Sequence, residues 1–163
     1  MMASKSADPS ALSEMSSELL QQASDLERLV QRLLLAEGSV FTREVARFGL
    51  TVPQYQALSS IEESHNGRQQ MGHIAQRTRQ CSATMTGIVD RLEALGLVQR
   101  QNNPNDRRSK LVLLTDSGSA KLQEVRAARY LRLAKVLAGI APDMRRRMQD
   151  VLLHYASPLD AYM

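Results

Sequence analysis

Residues 84–118, "TMTGIVDRLEALGLVQRQNNPNDRRSKLVLLTDSG", contain three successive sequence patterns. Apolar residues first recur at helical spacing until Gly96 ends the pattern. Two runs of strand length follow, "LVQRQ" at 97–101 and "KLVLLT" at 110–115, joined by a polar loop. Upstream, "RQQMGHIAQRT" at 68–78 predicts another short helix. The order of helix, tight turn, helix and hairpin predicts a winged helix-turn-helix.

Two helices are predicted before this module. From Ser10 to Glu37, apolar residues at three- and four-residue steps indicate an amphipathic helix that Gly38 ends. The segment "TVPQYQALSSIEE" at 51–63 predicts a second helix, with Thr51 as its cap and Pro53 in its first turn.

Two more helices are predicted after it. Thr115 or Asp116 caps a long helix over residues 118–139, and Pro142 begins a last helix that runs towards Tyr155. The predicted fold is therefore mainly α, a winged helix-turn-helix with long N- and C-terminal helices and a two-stranded β wing.

Positive charge is concentrated in the central module. The whole chain has a formal net charge of +4, whereas the segment from Arg68 to Lys110 alone has eight basic and three acidic residues. The rest of the chain is close to neutral. This distribution indicates an anionic partner for one internal module.

Length and composition predict one domain over residues 11–163, after a disordered tail at residues 1–10. Cys81 is the single cysteine, so an intrachain disulfide is excluded. No apolar run approaches the ~20 residues that span a bilayer, and the first residues lack the apolar stretch of a secretory signal. We expect a cytoplasmic protein with no membrane partner.

The sequence resembles the multiple-antibiotic-resistance regulator (MarR) family of bacterial winged-helix transcription factors. The resemblance depends on Asp-Arg-Leu-Glu at 90–93, Gly-Leu-Val at 96–98, Asp106 with Arg108, and Leu-Thr-x-x-Gly at 114–118. Weaker similarity extends from about residue 20 to 155. The sequence departs from the family pattern in two respects: Thr78 and Arg79 replace a common Leu-Gly in the turn, and Gly87 replaces a common basic residue.

The helix over residues 81–96 is predicted to be the recognition helix. Its apolar side gathers Met85, Ile88, Val89, Leu92 and Leu95, which predicts the buried face. Small or hydroxylic residues occupy the opposite side at the N-terminal end, where such a helix reads bases in the major groove. These candidates for DNA contact are Ser82, Ala83, Thr84, Thr86 and Gly87.

The polar loop of the wing combines turn-forming residues with cations. Asn102, Asn103, Pro104 and Asn105 favour a tight turn. A cation at such a tip suits the narrow, negative minor groove of A·T-rich DNA, while a solvated hairpin is the alternative. The resemblance implies that Arg108 is the inserted arginine, oriented by Asp106, with Arg107 and Lys110 on flanking phosphates.

Other charged residues of the module are candidates for phosphate contact or for pairing. Arg77, Arg79 and Arg91 either contact phosphates or are solvated surface charges. Asp90 and Glu93 would repel phosphates, so we expect them to orient nearby arginines.

The leucine-rich terminal segments have apolar faces that one small module cannot cover. We therefore predict a homodimer on a pseudo-palindromic operator, with dimerisation helices at 11–50 and 119–163 and a DNA-binding lobe at 51–118. A monomer that folds its ends over its own core is the alternative.

The resemblance also implies a small aromatic or phenolic effector. The candidate residues for its cleft are Phe41, Arg43, Arg47, Phe48 and Tyr55, although the aromatic ones are also typical core residues. Cys81 falls on the apolar side of the predicted helix, which favours a buried structural cysteine over a redox sensor.

Catalysis and metal binding are not indicated. The chain has no glycine-rich phosphate loop or nucleophile elbow, and its three histidines lack paired spacing. We predict no enzyme, no cofactor and a ligand-responsive transcriptional repressor that binds double-stranded DNA. The alternative is a winged-helix dimer used for protein contacts, with weak DNA binding.

Overall fold

The structure is a computed structural model that describes residues 16–104 and 106–158, with only the backbone of His65, Asp106, Arg107 and Arg108. The predicted tail and the start of the first helix lie outside the described residues. The chain forms two compact units, Met1–Arg43 and Glu44–Met163. In chain order, the elements are α1 Ser17–Arg47, α2 Val52–Glu62, a 3-10 turn His65–Gly67, β1 Arg68–Gln70, α3 Met71–Arg77, α4 Ser82–Ala94, β2 Val98–Asn103, β3 Asp106–Leu114, α5 Asp116–Ala138 and α6 Pro142–Ala156.

The first helix is longer than predicted, because Gly38 does not end it. Gly38 lies inside α1, and its carbonyl accepts a 2.8 Å hydrogen bond from the Thr42 hydroxyl. The helix ends only before Gly49, which has a left-handed φ of +74°. There the Leu50 amide donates to the Val45 carbonyl, closing the last turn. An isolated glycine weakens a helix by ~1 kcal/mol but does not terminate it.

The predicted start of α2 is confirmed. The Thr51 hydroxyl accepts from the Gln54 amide, and the Gln54 side chain accepts from the Thr51 amide at 2.8 Å. This reciprocal capping box satisfies two helix-terminal amides at once. The helix buries Leu58 and Ile61, which places α2 in the core of the second unit.

The sheet has three strands among the described residues, not the two that were predicted. Strands β2 and β3 form the expected hairpin, and β1 pairs antiparallel with the other edge of β3. Residues 68–70, "RQQ", were wrongly assigned to the start of a helix. A polar strand of three residues shows no alternation of polar and apolar side chains, so only its pairing with β3 identifies it as a strand.

The core of the second unit lies between α2, α3, α4, α5 and the sheet. Four of the five residues predicted to form the buried face of α4 are buried, but Leu95 is 54% exposed. Leu95 follows the last helical residue as the C-cap, so the helical periodicity no longer determines its direction. The largest fully buried side chains are Leu58, Ile61, Ile74, Met85, Leu92 and Leu122.

The Leu-Thr-x-x-Gly motif joins the wing to α5. Thr115 is the N-cap: its hydroxyl accepts from the Gly118 amide at 3.0 Å and donates to the Gly96 carbonyl at 2.7 Å. A Cβ at Gly118 would lie 2.1 Å from the Leu97 carbonyl oxygen. Glycine is therefore required at position 118 for this close approach.

Candidate nucleic-acid interface

The exposed end of α4 carries the five predicted contact residues. Ser82, Ala83, Thr84, Thr86 and Gly87 are all exposed, opposite the buried face of the helix. The Thr86 hydroxyl donates to the Ser82 carbonyl at 3.0 Å, so its methyl group and oxygen lone pairs remain available to a ligand. A Cβ at Gly87 would meet no heavy atom within 4 Å. The space above Gly87 is open, which allows another macromolecule to approach the helix backbone.

The turn between α3 and α4 presents an arginine in an unusual conformation. Arg79 has a φ of +53°, in the left-handed region that favours glycine. The Gln80 amide donates to the Ala75 carbonyl at 2.9 Å and holds the turn closed. Arg79 stands where the family often has the glycine of a Leu-Gly pair. An exposed cation therefore occupies a backbone conformation that costs a non-glycine residue ~1–2 kcal/mol.

The three arginines considered for phosphate contact differ in their surroundings. Arg77 forms an ion pair with Glu63 at the end of α2. Arg79 and Arg91 are exposed and form no ion pair with another described residue. Their guanidinium groups are therefore available to an anion, whereas that of Arg77 is shared with a carboxylate.

Asp90 and Glu93 orient an arginine, as predicted, and that arginine is Arg100 in β2. The Arg100 guanidinium lies 2.6 Å from Asp90 and 2.7 Å from Glu93, and it also donates to the Thr86 carbonyl at 3.4 Å. The Arg100 amide donates to Glu93 at 3.0 Å. Arg100 therefore links α4 to β2 and neutralises the acidic residues of α4. Helical spacing could not identify this residue, because it lies on a strand.

The base of the wing is held by side-chain amides. Asn103 is 5% exposed and donates to the Ser109 hydroxyl at 2.8 Å, where the register of β2 against β3 shifts. Lys110 is exposed and donates to the Asn102 side-chain oxygen. The predicted pairing of Asp106 with Arg108, and the direction of Arg107, lie outside the described side chains. The roles of Asp106, Arg107 and Arg108 therefore stay predictions.

Cys81 is exposed, so the prediction of a buried cysteine is wrong. The residue is the N-cap of α4, where the backbone is extended. Its sulfur lies 3.1 Å from the Thr84 hydroxyl, and hydrogen bonds from the Thr84 side chain and backbone lower the pKa of the Cys81 thiol. This thiol lies at the N-terminal end of α4, the helix that carries the predicted contact residues.

The residues predicted to line an effector cleft fall in different places. Arg47 and Phe48 line one cavity of about 350 Å³, together with Glu44, Leu131, Arg132 and Lys135. Tyr55 is 7% exposed and lines another cavity, beside Arg77 and Arg79. In the first unit, Phe41 is half-buried and Arg43 is exposed. Of the predicted cleft residues in the second unit, Arg47 and Phe48 line the same cavity.

None of the described helices is long and apolar enough to cross a bilayer.

Similarity to known proteins covers most of the chain. A profile of the MarR family matches residues 48–109. The transcriptional repressor MdtR of Bacillus subtilis (strain 168) is 30% identical over 123 residues, which cover 76% of this chain and 78% of that protein.

Solved structures with the same fold include YusO of Bacillus subtilis and AbsC of Streptomyces coelicolor. YusO is 26% identical with a TM-score of 0.72, covering 88% of this chain and 99% of the YusO chain. AbsC, a MarR family transcriptional regulator, is 25% identical with a TM-score of 0.62 and covers 90% and 98% of the respective chains.

Proposed function

We propose, since this chain belongs to the MarR family of DNA-binding transcriptional regulators, that it represses transcription as a homodimer and releases its operator when a small effector binds. Its relative MdtR is a transcriptional repressor. We assign it no catalytic step, because its relatives are regulators.

The observation that carries the proposal is the exposed end of α4. Small side chains from Ser82 to Gly87 leave the helix backbone accessible, in a module with an excess of basic residues. Such a surface suits the major groove, where Thr86 can place its methyl group against a thymine methyl. The pairing of Asp90 and Glu93 with Arg100 reduces their repulsion of the DNA backbone.

Cations around α4 supply contacts that do not depend on base sequence. Arg79 and Arg91 are the best candidates for phosphate contact, because neither forms an ion pair with another described residue. Arg77 would contact phosphate only in competition with Glu63. In the wing, Arg108 enters the minor groove and Asp106 orients it, while Arg107 and Lys110 contact phosphates on either side.

The homodimer is supported by uncovered apolar surface on the terminal helices. In α6, Met144, Met148, Val151, Leu152 and Tyr155 form one stripe at helical spacing, and each is at least 37% exposed. Leu26, Leu29 and Leu33 of α1 are also exposed. A two-fold dimer would cover such faces and place two recognition helices about one DNA turn apart.

An effector site is supported by the cavity beside Arg47 and Phe48. Its walls combine apolar side chains with the exposed cations Arg47 and Lys135. We propose that a small aromatic or phenolic compound binds there and lowers the affinity for DNA.

A gel-shift experiment with the DNA upstream of the protein's own gene tests the DNA-binding part. The wild type should shift this fragment, and Arg108→Ala should weaken the shift without changing the oligomer or the unfolding curve. Unaltered affinity of Arg108→Ala at moderate salt would remove Arg108 from the interface. No shift by the wild type at low salt would favour a role in protein contacts.

A further inference from the structure

The end of the wing contains a bulge next to a buried asparagine. Asn102 in β2 pairs with Lys110 in β3, and the next residue, Asn103, pairs with Asp106. Residues 107–109 lie between these two partners in β3, whereas the two asparagines are adjacent in β2. A bulge bends its strand and changes the direction of the side chains that it carries. Both arginines of the wing tip lie within this bulge.

The side chain of Asn103 holds one end of the bulge. It is 5% exposed, and its amide nitrogen donates a 2.8 Å hydrogen bond to the hydroxyl of Ser109. Ser109 is the last residue of the bulge and directly follows Arg108 in the chain. The hydrogen bond therefore ties the backbone immediately after Arg108 to the opposite strand.

Asn103 also faces the body of the second unit. Together with Pro104, it lines a cavity whose other walls include Asn66 of the 3-10 turn, Gln70 of β1 and His73 of α3. The side-chain amide is therefore shielded from water at the base of the wing. A hydrogen bond in such surroundings is more costly to break than one at an exposed tip, because water cannot easily replace it.

We propose that Asn103 is a positioning residue, which holds Ser109 so that the backbone at Arg108 has one conformation when the wing meets the minor groove. This inference rests on the proposed role of Arg108 in DNA binding and adds the residue that orders it. Asp106 directs the arginine side chain in that proposal, and Asn103 orders the backbone from which this side chain extends. Asn103 itself needs no contact with DNA.

An ordered wing should increase both affinity and selectivity. An arginine on an unrestrained loop loses conformational freedom when it binds, whereas a loop that is already ordered loses less. The narrow minor groove of A·T-rich DNA has an enhanced negative potential that attracts an inserted arginine. A backbone that keeps Arg108 in one place should therefore strengthen the preference for A·T-rich base pairs under the wing.

Fluorescence anisotropy with the full chain and two synthetic duplexes tests the inference. Both duplexes contain the site that footprinting identifies upstream of the protein's own gene, with either A·T-rich or G·C-rich base pairs where the wings would lie. The wild type should bind the A·T-rich duplex roughly fivefold more tightly or better. Asn103→Ala should reduce this preference to less than about twofold. Ser109→Ala should do the same, because it removes the same hydrogen bond.

Three further variants assign the effect to this hydrogen bond. Ser109→Thr keeps the hydroxyl and should keep the preference. Asn102→Ala is the matched control, because it removes the neighbouring asparagine, which is exposed and accepts from Lys110 outside the bulge. It should also keep the preference. In an Arg108→Ala background, Asn103→Ala should cause no further loss, since it acts only through Arg108.

The outcomes separate this inference from the proposed role of the wing. A preference that survives in Asn103→Ala and Ser109→Ala but is lost in Arg108→Ala would overturn the inference and leave the wing contact. An equal loss on Asn103→Ala with and without Arg108 would also overturn it. If Asn103→Ala does not fold, Ser109→Ala and Ser109→Thr decide. No preference in the wild type, or one that Arg108→Ala leaves unchanged, would contradict the wing contact and this inference together.

Discussion

Arg79 occupies a backbone conformation that a glycine would adopt more easily. Its φ of +53° costs an arginine ~1–2 kcal/mol, and a glycine there would regain part of this strain. Backbone strain that is retained in a folded protein often has a functional reason. We infer that the strained Arg79 is retained at this turn because its cationic side chain contacts a DNA phosphate.

Arg79→Gly should therefore raise stability and weaken DNA binding. We expect a gain of about 0.5–1 kcal/mol in the free energy of unfolding by urea. The slope of log K against log salt should become shallower by about 0.9, as for one lost phosphate contact. Arg91→Ala is the control, because it removes an exposed cation from a regular helix. It should change the slope similarly without the stability gain, and an unchanged slope in Arg79→Gly would exclude the contact.

Individual residues at helix ends were the least predictable from sequence. Cys81 and Leu95 were both assigned to the apolar side of a helix over residues 81–96. They are the two caps of α4, and both are exposed. Helical periodicity applies only between the caps, so it predicted Met85, Ile88, Val89 and Leu92 correctly and failed at the ends.

Among the elements, the contact between α4 and β2 determines how the two elements that we propose to bind DNA are arranged. Arg100 bridges Asp90, Glu93 and the Thr86 carbonyl, with its side chain 23% exposed. A lysine keeps the charge but cannot reach three acceptors with one compact ammonium group. The network therefore needs the planar guanidinium.

Arg100→Lys and Arg100→Gln should both weaken binding to the operator, by about tenfold, because the recognition helix and the wing would lose their fixed arrangement. The salt dependence of binding should stay unchanged, since the Arg100 guanidinium pairs with Asp90 and Glu93 and we expect it to make no phosphate contact. Stability should fall by only ~0.5–1 kcal/mol, as expected for partly exposed ion pairs. Wild-type affinity in Arg100→Lys, with a shallower salt slope in Arg100→Gln, would indicate direct phosphate contact instead.

The elements with strong periodicity or cap signals were predictable, and those defined by tertiary pairing were not. Thr51 with Pro53 predicted a helix start that the structure confirms. Thr115 and Asp116 were the two caps predicted for α5, and the structure has Thr115 as the N-cap. Strand β1 was missed because "RQQ" acquires its conformation only by pairing with β3. Glu44 was not predicted to line the cavity beside Arg47 and Phe48, because its burial depends on contacts with α5.

At the scale of the whole molecule, the apolar stripe of α6 should mediate dimer formation. Leu152→Glu places a charge in the stripe, and Gln149→Glu adds the same charge to the same helix outside it. The wild type and Gln149→Glu should sediment at twice the chain mass of 18.2 kDa. Leu152→Glu should shift the equilibrium towards the monomer, because a buried unpaired charge is costly. Identical sedimentation of both variants would exclude this stripe from the dimer contact.

As a member of the MarR family of transcriptional regulators, this protein should recognise a specific DNA sequence. Fluorescence anisotropy can compare its affinity for the DNA upstream of its own gene with that for a shuffled fragment of equal length and composition. We expect the upstream fragment to bind roughly 10³-fold more tightly or better at physiological salt, and the affinity to fall steeply as salt rises. Equal affinity for the two fragments across the salt range would contradict it.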